Sequence, residues 1–125
     1  MKPKLRDDDY LQHIEDAAAK IERFMSGKSD EAFLADDFTQ DAVIRNLEVI
    51  GEAVNMLSDD LRSTNPDIPW RHIGGMRNRL IHGYFSVNLT IVLDTVKVTL
   101  PDFLARVRYL RRKLLPHPRP PNRGA

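Results

Sequence analysis

Apolar residues recur every three or four positions along four long stretches of this chain, and nowhere do they alternate with polar ones as a half-buried strand requires. That pattern confines the chain to helices. Tyr10, Leu11, Ile14, Ala17, Ala18, Ile21, Phe24 and Met25 form one stripe and predict a helix from Leu5 to about Met25, ended by Gly27. Ser29-Asp30-Glu31 starts a short turn through Phe33 and Leu34. Phe38, Ala42, Val43, Leu47, Ile50, Val54 and Leu57 predict a second long helix from about Asp37 to Leu57. Gly51 in its middle costs about 1 kcal/mol relative to alanine, which a close helix–helix contact would explain.

Ser58-Asp59-Asp60 caps a further short turn, and Asn65-Pro66-Asp67-Ile68-Pro69 reads as a stiff loop. A third helix opens near Pro69-Trp70, turns Ile73, Met76, Leu80 and Ile81 inward, and is expected to stop at Gly83. Ser86 or Asn88 caps the last long helix, from Leu89 to Leu114, which Pro101 should kink or divide. Its final turns carry Arg106, Arg108, Arg111, Arg112 and Lys113. These suit the negative end of a helix, or alternatively an RNA backbone. The expected fold class is all-α: an up-and-down four-helix-type bundle with short extra helices, occupying residues 1–115. Residues 116–125 read as a flexible Pro-rich C-terminal tail.

The formal charge of +1 gives no strong non-specific pull toward nucleic acid, so RNA binding would need a local patch. There is no cysteine, which excludes disulfides and thiolate chemistry. Asp7, Asp8 and Asp9 diverge on a helix and cannot converge on one ion, so no metal site and no cofactor is expected. With no signal-like or membrane-spanning run, a cytoplasmic location is expected and no membrane contact.

Chemistry concentrates in Arg77-Asn78-Arg79-Leu80-Ile81-His82-Gly83-Tyr84. In a continuous helix, at about 100° per residue, Asn78 and His82 share a face one turn apart and Arg79 lies on the adjacent row. Arg77 and His82 diverge by about 140°. They meet if the arginine sweeps round, if the helix unwinds near Gly83, or if a second chain supplies the arginine. Histidine can take a proton near neutral pH. Arginine offers a planar, permanently charged fork for phosphate. That pairing suits RNA cleavage through the substrate's own 2′-hydroxyl. A histidine at a helix end with solvated arginines beside it is the plainer reading. The spacing alone is weak, since Arg111 and Arg112 stand at similar distances from His117. Asn78 one turn before His82, with Tyr84 just after it, distinguishes this segment.

Arg77-Asn78, followed by His82 and Tyr84, resembles the motif of the HEPN superfamily, and more narrowly of the HepT-like ribonuclease toxins. Ile50-Gly51-Glu52-Ala53, Pro69-Trp70, Gly75-Met76 and Leu100-Pro101 resemble further features of that family. The resemblance covers roughly Leu5 to Leu115. It implies a homodimer with two motif segments facing one cleft, and a metal-independent endoribonuclease cleaving mRNA or tRNA. Arg77 would stabilise phosphate, His82 would transfer the proton, Asn78 would orient the site and Arg79 would contact RNA. It also implies a minimal nucleotidyltransferase antitoxin that uses ATP to transfer AMP to Tyr84, in a type VII-like pair or a higher-order complex. Glu52 either pairs with Arg77 or Arg79 or faces solvent. The alternative function is a non-catalytic helical dimer that binds a nucleotidyltransferase or a nucleotide.

Overall fold

Helix starts are set by side chains that accept the free N–H groups of a first turn. Ser29 accepts from the Ala32 N–H at 3.1 Å, Asp36 from Thr39 at 3.2 Å, Ser58 from Leu61 at 3.1 Å and Asn88 from Ile91 at 3.1 Å. The Asp36 carboxylate also accepts the Thr39 hydroxyl at 2.6 Å, and this bond leads the interactions that hold its pKa below the ordinary value. With the apolar stripes, these caps define a helical bundle in the computed structural model, which describes residues 6–82 and 86–114.

The elements are α1 (Asp7–Met25), α2 (Asp30–Leu34), α3 (Asp37–Met56), α4 (Asp59–Thr64), α5 (Trp70–Gly74), α6 (Met76–Leu80), β1 (Ile81–His82), β2 (Ser86–Val87), α7 (Leu89–Asp94), a π-helical turn (Thr95–Thr99) and α8 (Leu100–Leu114). α1 runs antiparallel to α3, because Asp7 at its start accepts both the N–H and the hydroxyl of Ser58, just past the end of α3, at 2.8 and 2.6 Å. α8 is antiparallel to α1 as well. Ile21 and Met25 near the end of α1 adjoin Leu100 and Leu104 at the start of α8. Glu15, earlier in α1, pairs with Arg111 at 2.8 Å and Arg108 at 3.7 Å, late in α8. Leu11, Ile14, Leu47, Ile50, Phe103 and Val107 are buried between these helices. Trp70 meets Phe103 edge-to-face at 5.9 Å.

Several expectations change in detail. Phe38, expected in the buried stripe of the second long helix, is 90 % exposed, and Phe24, on the stripe of the first, is 37 % exposed. The inward face of α3 is set by Val43, Leu47, Ile50 and Val54. Phe38 lies about 140° from Val43 on a regular helix and points away. The basic end of α8 is neither purely a dipole partner nor a free stripe. Arg108 and Arg111 hold Glu15, and Arg106 donates to the Asp67 carbonyl at 2.8 Å.

The last helix runs continuously from Leu89 to Leu114, and the irregularity expected at Pro101 is the π-helical turn just before it. Pro101 has no N–H for the Lys97 carbonyl and its ring would crowd that oxygen in a regular helix. The third expected helix divides at Gly75 and ends at Leu80 rather than at Gly83. The tail expected at 116–125 lies outside the described residues. No helix among the described residues is long and apolar enough to cross a membrane.

Candidate active site

The site is carried by α6, and α6 is seated through α5 on α3. A Cβ on Gly51 would stand 3.2 Å from the Ile73 carbonyl oxygen and 3.6 Å from that of Gly74. The close helix contact inferred from a mid-helix glycine is therefore with α5. Asn55, one turn further along α3, donates from Nδ2 to the Gly74 carbonyl at 3.0 Å, and a Cβ on Gly74 would overlap the Asn55 Oδ1. Two glycines thus let α5 approach the α3 backbone, and α6 follows directly at Met76.

Within α6, Met76 and Leu80 stand one turn apart and both are buried, at 1 % and 0 % exposure. This anchoring leaves Arg77 and Asn78 on the outer side, both exposed, with Arg79 half-buried. The helix then stops, because the Leu80 carbonyl accepts the Asn88 N–H at 2.9 Å instead of an intrahelical donor. Asn88 also caps α7 with its side chain, so one residue ends α6 and starts α7. Beyond Leu80 the backbone is extended: Ile81 pairs with Val87 and His82 with Ser86 in an antiparallel ladder. This short ladder departs from the expectation of no strand. It also removes the premise that Asn78 and His82 share a helical face. The helix ends at Leu80, three residues before Gly83. Tyr84, the expected modification site, lies outside the described residues.

The two arginines leave opposite sides of α6, being about 200° apart. Arg77 Nε lies 3.6 Å from Glu48 Oε2, an ion pair without hydrogen-bond contact, in which Arg77 is 68 % exposed and Glu48 20 %. Arg79 turns toward α5, where its Nη1 meets His72 Nε2 at 2.8 Å and the His72 carbonyl oxygen at 3.4 Å. Glu52, the expected supporting carboxylate, is exposed and makes no ion pair among the described residues. Asn78 has no side-chain hydrogen bond among them either.

Glu48 and His72 are the neighbours that the sequence reading missed. The signal for Glu48 was angular: it stands about 100° from Leu47, at the edge of the buried stripe, whereas Glu52 stands about 140° away. The signal for His72 was its seven-residue spacing from Arg79, two turns along one helical face. Among the described residues no group of three or more His, Asp or Glu could hold a metal ion. Asp7, Asp8 and Asp9 go to separate partners: Ser58, the Arg6 side chain and the Arg6 N–H.

Residues 14–110 match the family model described as ribonuclease HepT-like. The chain belongs to the HepT-like ribonuclease family. Relatives include a Thermococcus cleftensis protein named "Probable ribonuclease HepT", 42 % identical over 83 % of this chain and 94 % of its own length. A "Putative RNase" of Caldanaerobacter subterraneus subsp. tengcongensis is 39 % identical over 83 % of this chain and 93 % of its own. In Methanocaldococcus jannaschii, a protein named "Gamma-glutamylcyclotransferase and putative RNase" is 35 % identical over 84 % of this chain, which covers 47 % of that longer protein. No solved structure gives a significant match. The HepT-like match takes in α6, β1 and β2 whole, together with Glu48 and His72.

Proposed function

We propose that this chain is a metal-independent endoribonuclease, the toxin of a toxin–antitoxin pair whose partner is a minimal nucleotidyltransferase. The reading rests on membership of the HepT-like family over residues 14–110. The observation that carries it to a site is the anchoring of α6 by Met76 and Leu80, which leaves Arg77 outward on the short helix that leads into the extended backbone of Ile81 and His82.

In this reading the RNA supplies its own nucleophile. His82 takes the proton from a 2′-hydroxyl, and the 2′-oxygen attacks the adjacent phosphorus. The bond to the 5′-oxygen breaks, leaving a 2′,3′-cyclic phosphate and, after proton delivery, a 5′-hydroxyl. Arg77 stabilises the extra negative charge on the crowded phosphate, Arg79 contacts RNA and Asn78 orients the site. Two copies of the chain form the working cleft. The antitoxin silences it by transferring AMP from ATP to Tyr84, which puts a phosphodiester and a base where RNA phosphate must bind.

The test is incubation of the purified protein with total RNA and with tRNA, beside Arg77→Ala and His82→Ala. Cleavage by the parent and loss of about 100-fold or more in rate in each variant is expected. Equal cleavage by all three would refute the site. Intact RNA throughout, with retained binding of the nucleotidyltransferase, would make the protein a non-catalytic partner instead. Mass spectrometry of the co-expressed pair should find AMP on Tyr84, and an unmodified tyrosine in a neutralised pair would refute that mode of control.

A further inference from the structure

Arg79 and His72 meet across the break between α5 and α6, seven residues apart, and the chemistry of that contact is restrictive. A guanidinium donates and never accepts. At 2.8 Å from Arg79 Nη1, His72 Nε2 must therefore be the acceptor, so the imidazole is neutral and carries its proton on Nδ1. An imidazolium would set donor against donor and cation against cation. Arg79 Nη1 also reaches the His72 carbonyl oxygen at 3.4 Å, so both contacts to His72 use the same nitrogen. The Nε and Nη2 groups on the other edge of the guanidinium have no partner among the described residues. They form a planar two-donor fork of the kind that grips phosphate.

The contrast with Arg77 matters. Arg77 faces an anion, Glu48, which offsets its charge. Arg79 is held by a neutral ring, which fixes its direction and leaves its full positive charge available. His72 itself is exposed, so burial does not explain it.

We infer that His72 is a positioning residue of the ribonuclease site: its neutral imidazole holds Arg79 by Nη1 and presents the free edge of the guanidinium to an RNA phosphate other than the one that is cut. The inference rests on the ribonuclease reading and extends it by one residue and one contact. It assigns Arg79 to substrate binding rather than to the chemical step. Losing His72 should therefore act on KM and leave kcat nearly untouched.

The experiment compares RNA cleavage by the parent with His72→Ala, His72→Gln, Arg79→Ala and the His72→Ala/Arg79→Ala double variant. Binding of end-labelled single-stranded RNA is measured in parallel on a His82→Ala background. His72→Ala should raise KM and Kd about tenfold, the worth of one hydrogen bond that orients a charged ligand, with kcat within about twofold. His72→Gln should recover most of this, because its Oε1 can accept from Nη1. In the absence of Arg79, removal of His72 should add less than about twofold.

A His72→Ala enzyme equal to the parent overturns the inference, as does a double variant with fully additive losses. A fall in thermal midpoint that tracks the KM change in both His72 variants also overturns it, making the pair a clamp between α5 and α6. The two readings fail separately. If the parent cleaves, His82→Ala does not, and His72→Ala matches the parent, then the positioning role alone is wrong. If the parent neither cleaves nor binds RNA, the ribonuclease reading falls and takes this inference with it.

Discussion

Gly51→Ala tests how α3 seats the site, because two opposing effects of known size meet there. Gly51 is buried in the interior of α3, where alanine is favoured over glycine by about 1 kcal/mol through backbone entropy. If nothing pressed on the position, the variant would be stabilised by that amount. The added Cβ, however, would stand 3.2 Å from the Ile73 carbonyl oxygen, closer than such atoms normally pack. That oxygen belongs to backbone and has no rotamer to change. The neighbouring Gly74 carbonyl, 3.6 Å from the same Cβ, is tied by Asn55 at 3.0 Å, so the end of α5 cannot tilt freely. Overpacking of this kind costs about 1–3 kcal/mol. The net expectation is a loss of about 1 kcal/mol, which lowers the thermal midpoint by roughly 3–6 °C for a domain of this size. Urea unfolding followed by circular dichroism measures it directly. A variant stabilised by about 1 kcal/mol would refute the reasoning: α5 would not be held against α3, and Gly51 would have no packing role.

The remaining expectations concern charge and metal. Glu48→Gln removes an ion pair whose arginine is largely solvated, so stability should change by less than about 1 kcal/mol. RNA affinity at low salt should rise about two- to fivefold as an anion beside Arg77 is lost, while Glu52→Gln changes neither; weaker binding by Glu48→Gln in a salt titration would refute this. Asp36 has a folded pKa below its unfolded value near 3.8, with the Thr39 hydroxyl bond as the first cause. Its contribution is therefore fully present above that pH and lost as pH falls through the folded pKa. Asp36→Asn should flatten the acid limb of stability in urea midpoints taken from about pH 5 to 3, and an unchanged limb would rule the linkage out. RNA cleavage should survive chelation of divalent ions; loss on chelation, restored by added metal, would overturn the metal-independent reading.

Much was legible in the chain because its causes are local. Helical stripes, cap residues such as Ser29, Ser58 and Asn88, and the irregularity before Pro101 each follow from neighbours within a turn or two. The motif's residue types could be read in the same way, since proton transfer and phosphate binding depend on side-chain chemistry. What could not be read was where the motif leaves its helix. A local reading carried that helix to Gly83, but the Leu80 carbonyl finds the Asn88 N–H and the chain becomes extended at His82. That bond joins residues eight apart, and no local propensity announces it.

The sequence by itself determined an all-helical chain of the HepT-like family and marked out Arg77, Asn78, Arg79 and His82. Tertiary structure alone decided which partners those side chains meet: Glu48 rather than Glu52 for Arg77, and His72 for Arg79. The physical reason is that a helical pattern sets the direction in which a side chain leaves its own axis. What it meets there depends on how closely another helix approaches, and here two glycines between α3 and α5 set that distance.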